Sequence, residues 1–238
     1  GDAITTGANN VAIGYEALST EDAYGANVAV GSQALKFLNA ATNGMNTAVG
    51  NQAGHSSTTA VENVLIGAAA GYALTSGSYN IAIGRLALAT EDGHGRNIAI
   101  GYKALYDQNA GADGYNVAIG FNAGENVTTG INNVFIGGEA GDAITTGSGS
   151  IAIGRQALST EDAGGGAVAI GYQALQDQDG GDIFNVAVGY RAGRNITTGG
   201  NNILMGASAG DTLTTGAYNI AIGHQALKTE DTHGKNVA

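Results

Sequence analysis

Apolar and polar positions alternate in a short phrase, Asn10-Val11-Ala12-Ile13-Gly14, which the chain states thirteen times in full. A fourteenth statement begins at Asn236-Val237-Ala238. The closing glycines fall at 14, 31, 50, 67, 84, 101, 120, 137, 154, 171, 189, 206 and 223, mostly 17 residues apart, with two steps of 19 and one of 18. An alanine stands three residues after each of them. Each phrase is rich in β-branched residues and bounded by Asn and Gly, which predicts a short strand. A period of 17 is too short for a strand and a crossover helix, which together need about 30 residues. Self-similarity at this period predicts a parallel β-solenoid, a β-roll or β-helix of about thirteen 17–19-residue coils stacked about 4.8 Å apart.

Side chains alternate across a strand, so Val117 and Ile119 share one face and Ala118 points to the other. The middle residue is alanine in ten of the thirteen phrases, and Leu65, Phe135 or Leu204 in the rest. Both faces are therefore apolar, which implies cover on both sides. One cover is the coil's own core, and the other is most simply another chain. A coil with few large residues is expected to need its bulky pair inside. Val117 is therefore expected to face inward and Ala118 a neighbouring chain. Coils with Leu65, Phe135 and Leu204 follow their glycine with a small residue (Ala68, Gly138, Ala207), which suggests a volume exchange within one packed layer.

The coils also follow a longer rhythm. Ala17-Leu18 and Ala34-Leu35 give way to Ala53-Gly54 and Ala70-Gly71, and the order then restarts at Ala87-Leu88. Equivalent glycines are 70, 70 and 69 residues apart, so four coils form one super-repeat. The longer coils should carry their extra residues as outward bulges at 36–44, 106–115 and 176–184. Residues 1–238 are expected to form a single continuous solenoid with no internal domain boundary. The chain opens in a turn and stops in a strand, without the polar caps that solenoids need. It is expected to be a segment of a longer protein.

Composition narrows the class of function. There are 41 glycines, no proline and no cysteine, and 12% of residues are charged. Glycine at fixed phase without proline excludes collagen and disordered linkers. A net charge of −11 with no basic stripe argues against nucleic acid and an anionic membrane surface. No signal peptide, lipidation motif or membrane-inserting run is present.

Asn97-Ile98-Ala99-Ile100-Gly101-Tyr102-Lys103-Ala104-Leu105 and Asn116 to Ala123 carry a family resemblance. They resemble the head repeats of trimeric autotransporter adhesins and the repeat arrays of bacteriophage tail fibres. The likeness covers the whole chain, although these coils are longer than those of adhesin heads. It implies a side-by-side homotrimer in an extracellular structure, on a virion or a bacterial surface, serving host attachment.

Candidate chemistry is sparse. Thr-Glu-Asp triplets recur at Glu21-Asp22, Glu91-Asp92, Glu161-Asp162 and Glu230-Asp231, two of them followed by His94 and His233. Paired carboxylates can bind calcium, but their spacing forms no ladder, and solvated acidic loops are the preferred reading. His55, His94, His224 and His233 have no phase common to all four, so no zinc set emerges. No nucleophile elbow or cysteine nucleophile is present. The sequons at Asn126 and Asn195 arise from the repeat. The asparagines that open the strands read as an internal amide ladder. Tyr15, Tyr102, Tyr172 and Tyr190 read as ordinary surface packing.

The sequence therefore predicts no catalytic, cofactor-binding or metal residues, and no enzyme. It points to a structural shaft segment of an extracellular trimeric attachment fibre, a phage tail fibre or a bacterial surface adhesin. Its partners would be two further copies, flanking fibre segments, and a cell-surface glycan or receptor met by a tip elsewhere. The alternative is a monomeric ligand-binding solenoid for glycan or ice. Threonines of the Thr-Thr-Gly turns (Thr5, Thr128, Thr145, Thr197, Thr214) raise the ice reading, but they occur on only about half the coils.

Overall fold

The computed structural model describes residues 1–238 except Asp22, Asp182 and Glu230. It is an all-β parallel β-solenoid of about thirteen coils, with no helix among the described residues. The strands are β1 (Val11–Ile13), β2 (Val28–Val30), β3 (Thr47–Val49), β4 (Val64–Ile66), β5 (Ile81–Ile83), β6 (Ile98–Ile100), β7 (Val117–Ile119), β8 (Val134–Ile136), β9 (Ile151–Ile153), β10 (Val168–Ile170), β11 (Val186–Val188), β12 (Ile203–Met205) and β13 (Ile220–Ile222). They fall in two compact units, Gly1–Asn116 and Val117–Ala238. Within each, consecutive strands pair in parallel and in register, as in Val11↔Val28 of the first unit and Val117↔Val134 of the second. Val237 extends the series as a lone bridge to Ile220.

Exact register turns every chain position into a column. The closing glycines hold the tightest column, at φ between 127° and 146°. From Gly14 to Gly84, and again from Gly120 to Gly206, a Cβ there would lie 2.6–2.7 Å from the next coil's glycine carbonyl carbon. Both the φ and the close approach require glycine.

Non-glycine residues turn most of the other corners. Three positions per coil take left-handed φ, such as Tyr79, Leu86 and Leu88 at 63°, 60° and 50°. The left-handed region costs an L-residue roughly 1–2 kcal/mol, and the backbone ladder holds these residues there. Their N–H groups bond the neighbouring coil, as in Leu88 N to Ala104 O at 3.0 Å and Leu86 N to Ala68 O at 3.0 Å. Ala69 occupies such a corner at φ 55°. Ala69→Gly is therefore expected to stabilise the chain by about 0.5–1 kcal/mol, the relief of φ strain less the entropy of a freer unfolded chain. Chemical denaturation reads the sign, and a loss of stability would contradict the corner assignment.

The asparagine ladder is present. Asn27 N donates to Asn10 Oδ1 at 2.9 Å and Asn80 N to Asn63 Oδ1 at 2.8 Å. In the second unit Asn202 N donates to Asn185 Oδ1 at 2.8 Å. From Asn27 to Asn219 these side chains are buried. Each amide thus ties the start of a strand to the coil beside it.

The core reverses the expected strand orientation. Ala118 is fully buried inside the coil, while Val117 is only half-buried and Ile119 is exposed. The same holds in every strand from β2 on: the middle residue is buried and its neighbours are not. The reason is width. The alanines three residues after the closing glycines, from Ala17 to Ala209, and the Leu18-type leucines fill the interior from the opposite wall, as do Leu74, Val127, Ile144, Ile196 and Leu213. Bulk therefore comes from that wall, and the strand can supply only a methyl.

Where the strand does supply bulk, the opposite wall gives way. Leu65, Phe135 and Leu204 are fully buried. The compensating positions are not Ala68, Gly138 and Ala207, which lie outside the core. They are the Ala-Gly glycines: a Cβ on Gly141 would lie 2.5 Å from the Phe135 ring, and one on Gly71 2.8 Å from Leu65 Cδ2.

Candidate interaction face

With the middle residue turned inward, the β-branched pair of each strand is left on the outside. In the first unit this face carries Val11, Ile13, Val49 and Ile66 among its exposed side chains, and in the second Ile119, Ile203, Met205, Ile220 and Ile222. None of the strand positions on it is charged in either unit, and Thr47 is its one polar residue. Charge depletion of this kind marks the centre of protein interfaces.

Aromatic residues border the face on both sides. The position after the closing glycine supplies Tyr15, Phe121 and Tyr190, and the position before the ladder asparagine supplies Tyr79, Tyr115, Phe184 and Tyr218. In the first unit eight of its eleven exposed large apolar side chains lie between these two borders. In the second unit all ten do. Scattered exposed apolar residues would need no explanation, but such concentration on one face does. The bordering tyrosines read from sequence as ordinary surface packing therefore belong to the edge of this face.

Polar ladders run beside it. Gln156 Nε2 donates to Glu139 Oε2 at 2.8 Å, Gln173 Nε2 to Gln156 Oε1 at 3.0 Å, and Arg191 Nε to Gln173 Oε1 at 3.1 Å. A carboxylate and a guanidinium are thus joined through two amides. In the first unit Gln52 donates to Gln33, Gln33 to Glu16, and Lys36 Nζ lies 2.8 Å from Glu16. Lys36 and Gln33 hold the Glu16 carboxyl below its usual range.

No family model, curated protein or solved structure matches this chain. The face itself must carry the functional reading.

The other candidates divide. The acidic loops are not simply solvated: Glu21, Glu91 and Glu161 are fully buried, while Asp92 and Asp162 remain exposed. Each glutamate Oε1 accepts the backbone N–H three residues on, at 3.1 Å from Tyr24, 3.0 Å from His94 and 2.8 Å from Gly164. The glutamate is thus a turn-closing acceptor, which exposure-based reading of a charged triplet misses. Asp22 and Glu230 lie outside the described residues. Burial pushes the Glu91 and Glu161 carboxyls up. Buried Gln178 donates to Glu161 Oε2 at 3.1 Å and accepts from Asn185 at 2.9 Å, linking this turn to the asparagine ladder.

The remaining groups serve the stack. Thr128 and Thr145 donate their hydroxyls to Thr145 O and Asp162 O in the next coil, at 3.1 and 2.8 Å. Those protons are committed within the solenoid rather than offered to an ice lattice. The sequon asparagines Asn126 and Asn195 likewise donate to Asp142 O and Asp211 O. His55 stacks on Tyr72 with ring centroids 5.0 Å apart and meets the edge of Phe37. His224 and His233 are exposed. The described residues enclose no pocket.

Asp142 stands out among the carboxylates, its pKa raised to about 6 by burial and then by Glu139 and Glu125. A folded-state value above the unfolded one favours the protonated form of the native chain. The resulting stability is full below the unfolded value near 3.8 and lost as pH rises through about 6. Asp142→Asn is therefore expected to raise the Tm at pH 7.5 and to flatten its rise between pH 7 and pH 4. An unchanged pH profile in this variant would contradict the assignment.

Proposed function

We propose that the chain is a structural shaft segment of an extracellular trimeric attachment fibre, formed by copies packed side by side through their Val/Ile faces. The observation that carries this reading is the uncovered apolar face of a parallel sheet. Parallel sheets are covered on both faces, and here only the inner one is covered within the chain.

A second copy of the chain is the partner that fits best. The face repeats an outward pair at every coil, β-branched and apolar except at Met205 and Thr47, so its partner must present apolar groups at the same axial spacing. An identical solenoid does so without adjustment. Val or Ile buries roughly 60–120 Å² when fully covered, from about 1.5–3 kcal/mol at about 25 cal/mol/Å². Most strand residues of the face are half-buried and only the nine named above are more than a third exposed, so the strands of one unit offer on the order of 300 Å². Two apposed units bury about 600 Å² through their strands, and the bordering aromatic residues must supply the rest of the roughly 1,000 Å² that a specific interface needs. The number three rests on the resemblance to trimeric fibre repeats, as does the extracellular, virion or bacterial-surface location. The chain itself performs no chemistry in this role, and attachment would reside in a tip joined to the shaft.

Cysteine placement tests the face. The chain has no native cysteine, and a disulfide requires Cα atoms within about 7 Å. Val117→Cys or Ile119→Cys is expected to give disulfide-linked chains under mild oxidation, whereas Ala118→Cys stays unreactive until unfolding. Crosslinking through Ala118 alone would place the partner on the wrong side of the sheet.

A further inference from the structure

We propose that the loop Thr90–His94 holds a divalent transition-metal ion through Glu91, Asp92 and His94. One donor atom from each of these three side chains lies within 4.8 Å of the other two. His94 Nδ1 is 3.5 Å from Glu91 Oε1. Ligands about 2.0–2.2 Å from zinc at tetrahedral angles are themselves separated by about 3.3–3.5 Å, so this pair has the bite of such a site. It is long for a hydrogen bond, and Nδ1 is buried without a hydrogen-bond partner.

The equivalent loop in the second unit shows what is particular here. Glu161 also closes its turn with Oε1, and its second oxygen receives Gln178 Nε2 at 3.1 Å. Asp162 and Asp179 complete a cluster there as well, yet Glu161 has both oxygens satisfied and no histidine beside it. At Glu91 the corresponding amide is Gln108, and the two do not meet. Glu91 is fully buried, and apart from the pull of the Ala110 backbone N–H on its carboxylate its Oε2 has no hydrogen-bond partner; Gln108 Nε2 has none either. A buried carboxylate oxygen left open costs free energy, and a bound cation would offset it.

The donor set selects the ion. Two carboxylates with one imidazole suit zinc and its neighbours, whereas calcium and magnesium prefer oxygen alone. Asp92 is exposed and His94 half-buried, so the ion has a path from solvent. Glu91 supplies the fixed ligand, because the His94 backbone N–H already holds its carboxylate at 3.0 Å.

Zinc titration calorimetry on the full chain tests this. A His233→Ala background removes the related motif Thr229 to His233. The expected result is saturable binding of one zinc ion per chain, weakened at least about tenfold by His94→Ala and by Asp92→Asn, since even losing an outer-shell partner costs 10–100-fold. His55→Ala, remote from the cluster, should bind as the background does. Absence of saturable binding, or equal affinity after His94→Ala, overturns the proposal. Unfolding curves of the variants without zinc confirm that each remains folded.

Discussion

Gly120→Ala is expected to cost at least 4–5 kcal/mol, enough to unfold much of the second unit. Two independent demands meet at this residue. Its φ is 146°, which L-residues rarely adopt. A methyl carbon would also lie 2.6 Å from the Gly137 carbonyl carbon, and that neighbour is backbone held in a ladder. The next coil's carbonyl cannot retreat, because Gly137 is in turn packed against Gly154. Losses of this size arise from a short list of causes, of which strain at a special φ is one. Gly138 provides the control one coil away. A methyl there would find nothing nearer than Phe121 O at 3.9 Å, and its φ is unexceptional. Gly138→Ala should change stability by less than about 0.5 kcal/mol. Urea unfolding of both variants reads the contrast, and comparable stability in the two would remove the close-approach explanation for the closing glycines.

Phe135→Ala should cost about 3–5 kcal/mol, the range for emptying a fully buried ring. The ring fills space that a leucine from the opposite wall fills elsewhere. Ala152 on the adjacent strand is followed by Leu158 at the corner, whereas Phe135 is followed by Gly141. Gly141 and Leu158 share the same corner conformation, at φ 58° and 53°. Adding Gly141→Leu to Phe135→Ala therefore rebuilds the neighbouring coil's solution, and should recover more than half of the loss. Gly141→Leu alone should be destabilising by several kcal/mol, because the Phe135 ring already occupies the space. The double-mutant cycle would show strong favourable coupling. Additive effects would mean that the two side chains do not compete for one volume.

Strand positions, parallel stacking and the asparagine ladder were all legible in the sequence, because each is a periodic feature and register makes period into structure. The orientation of the strand was not. Val117 and Ile119 look like core residues by size, and only the inner width of the coil shows that Ala118 and Leu158-type residues fill it. The same blindness to the opposite wall assigned the compensation for Phe135 to Gly138 instead of Gly141. The left-handed corners at Glu16, Gln33 and Gln52 carry no local signal, since the ladder imposes a conformation that these residues do not prefer. Glu91 and Glu161 read as solvated because charge usually is. Their burial follows from the turn three residues on, a backbone partner invisible to composition.

The claim on which the functional reading stands is that copies of this chain cover its Val/Ile face. Sedimentation equilibrium of the full chain tests it most directly, alongside an Ile119→Asp/Ile136→Asp variant that puts charge on the face of β7 and β8. The account predicts a species near three times the 23.5 kDa chain mass, reduced to the chain mass in the variant with its β-sheet circular dichroism intact. A wild-type chain that sediments as a single 23.5 kDa species at all concentrations would contradict it.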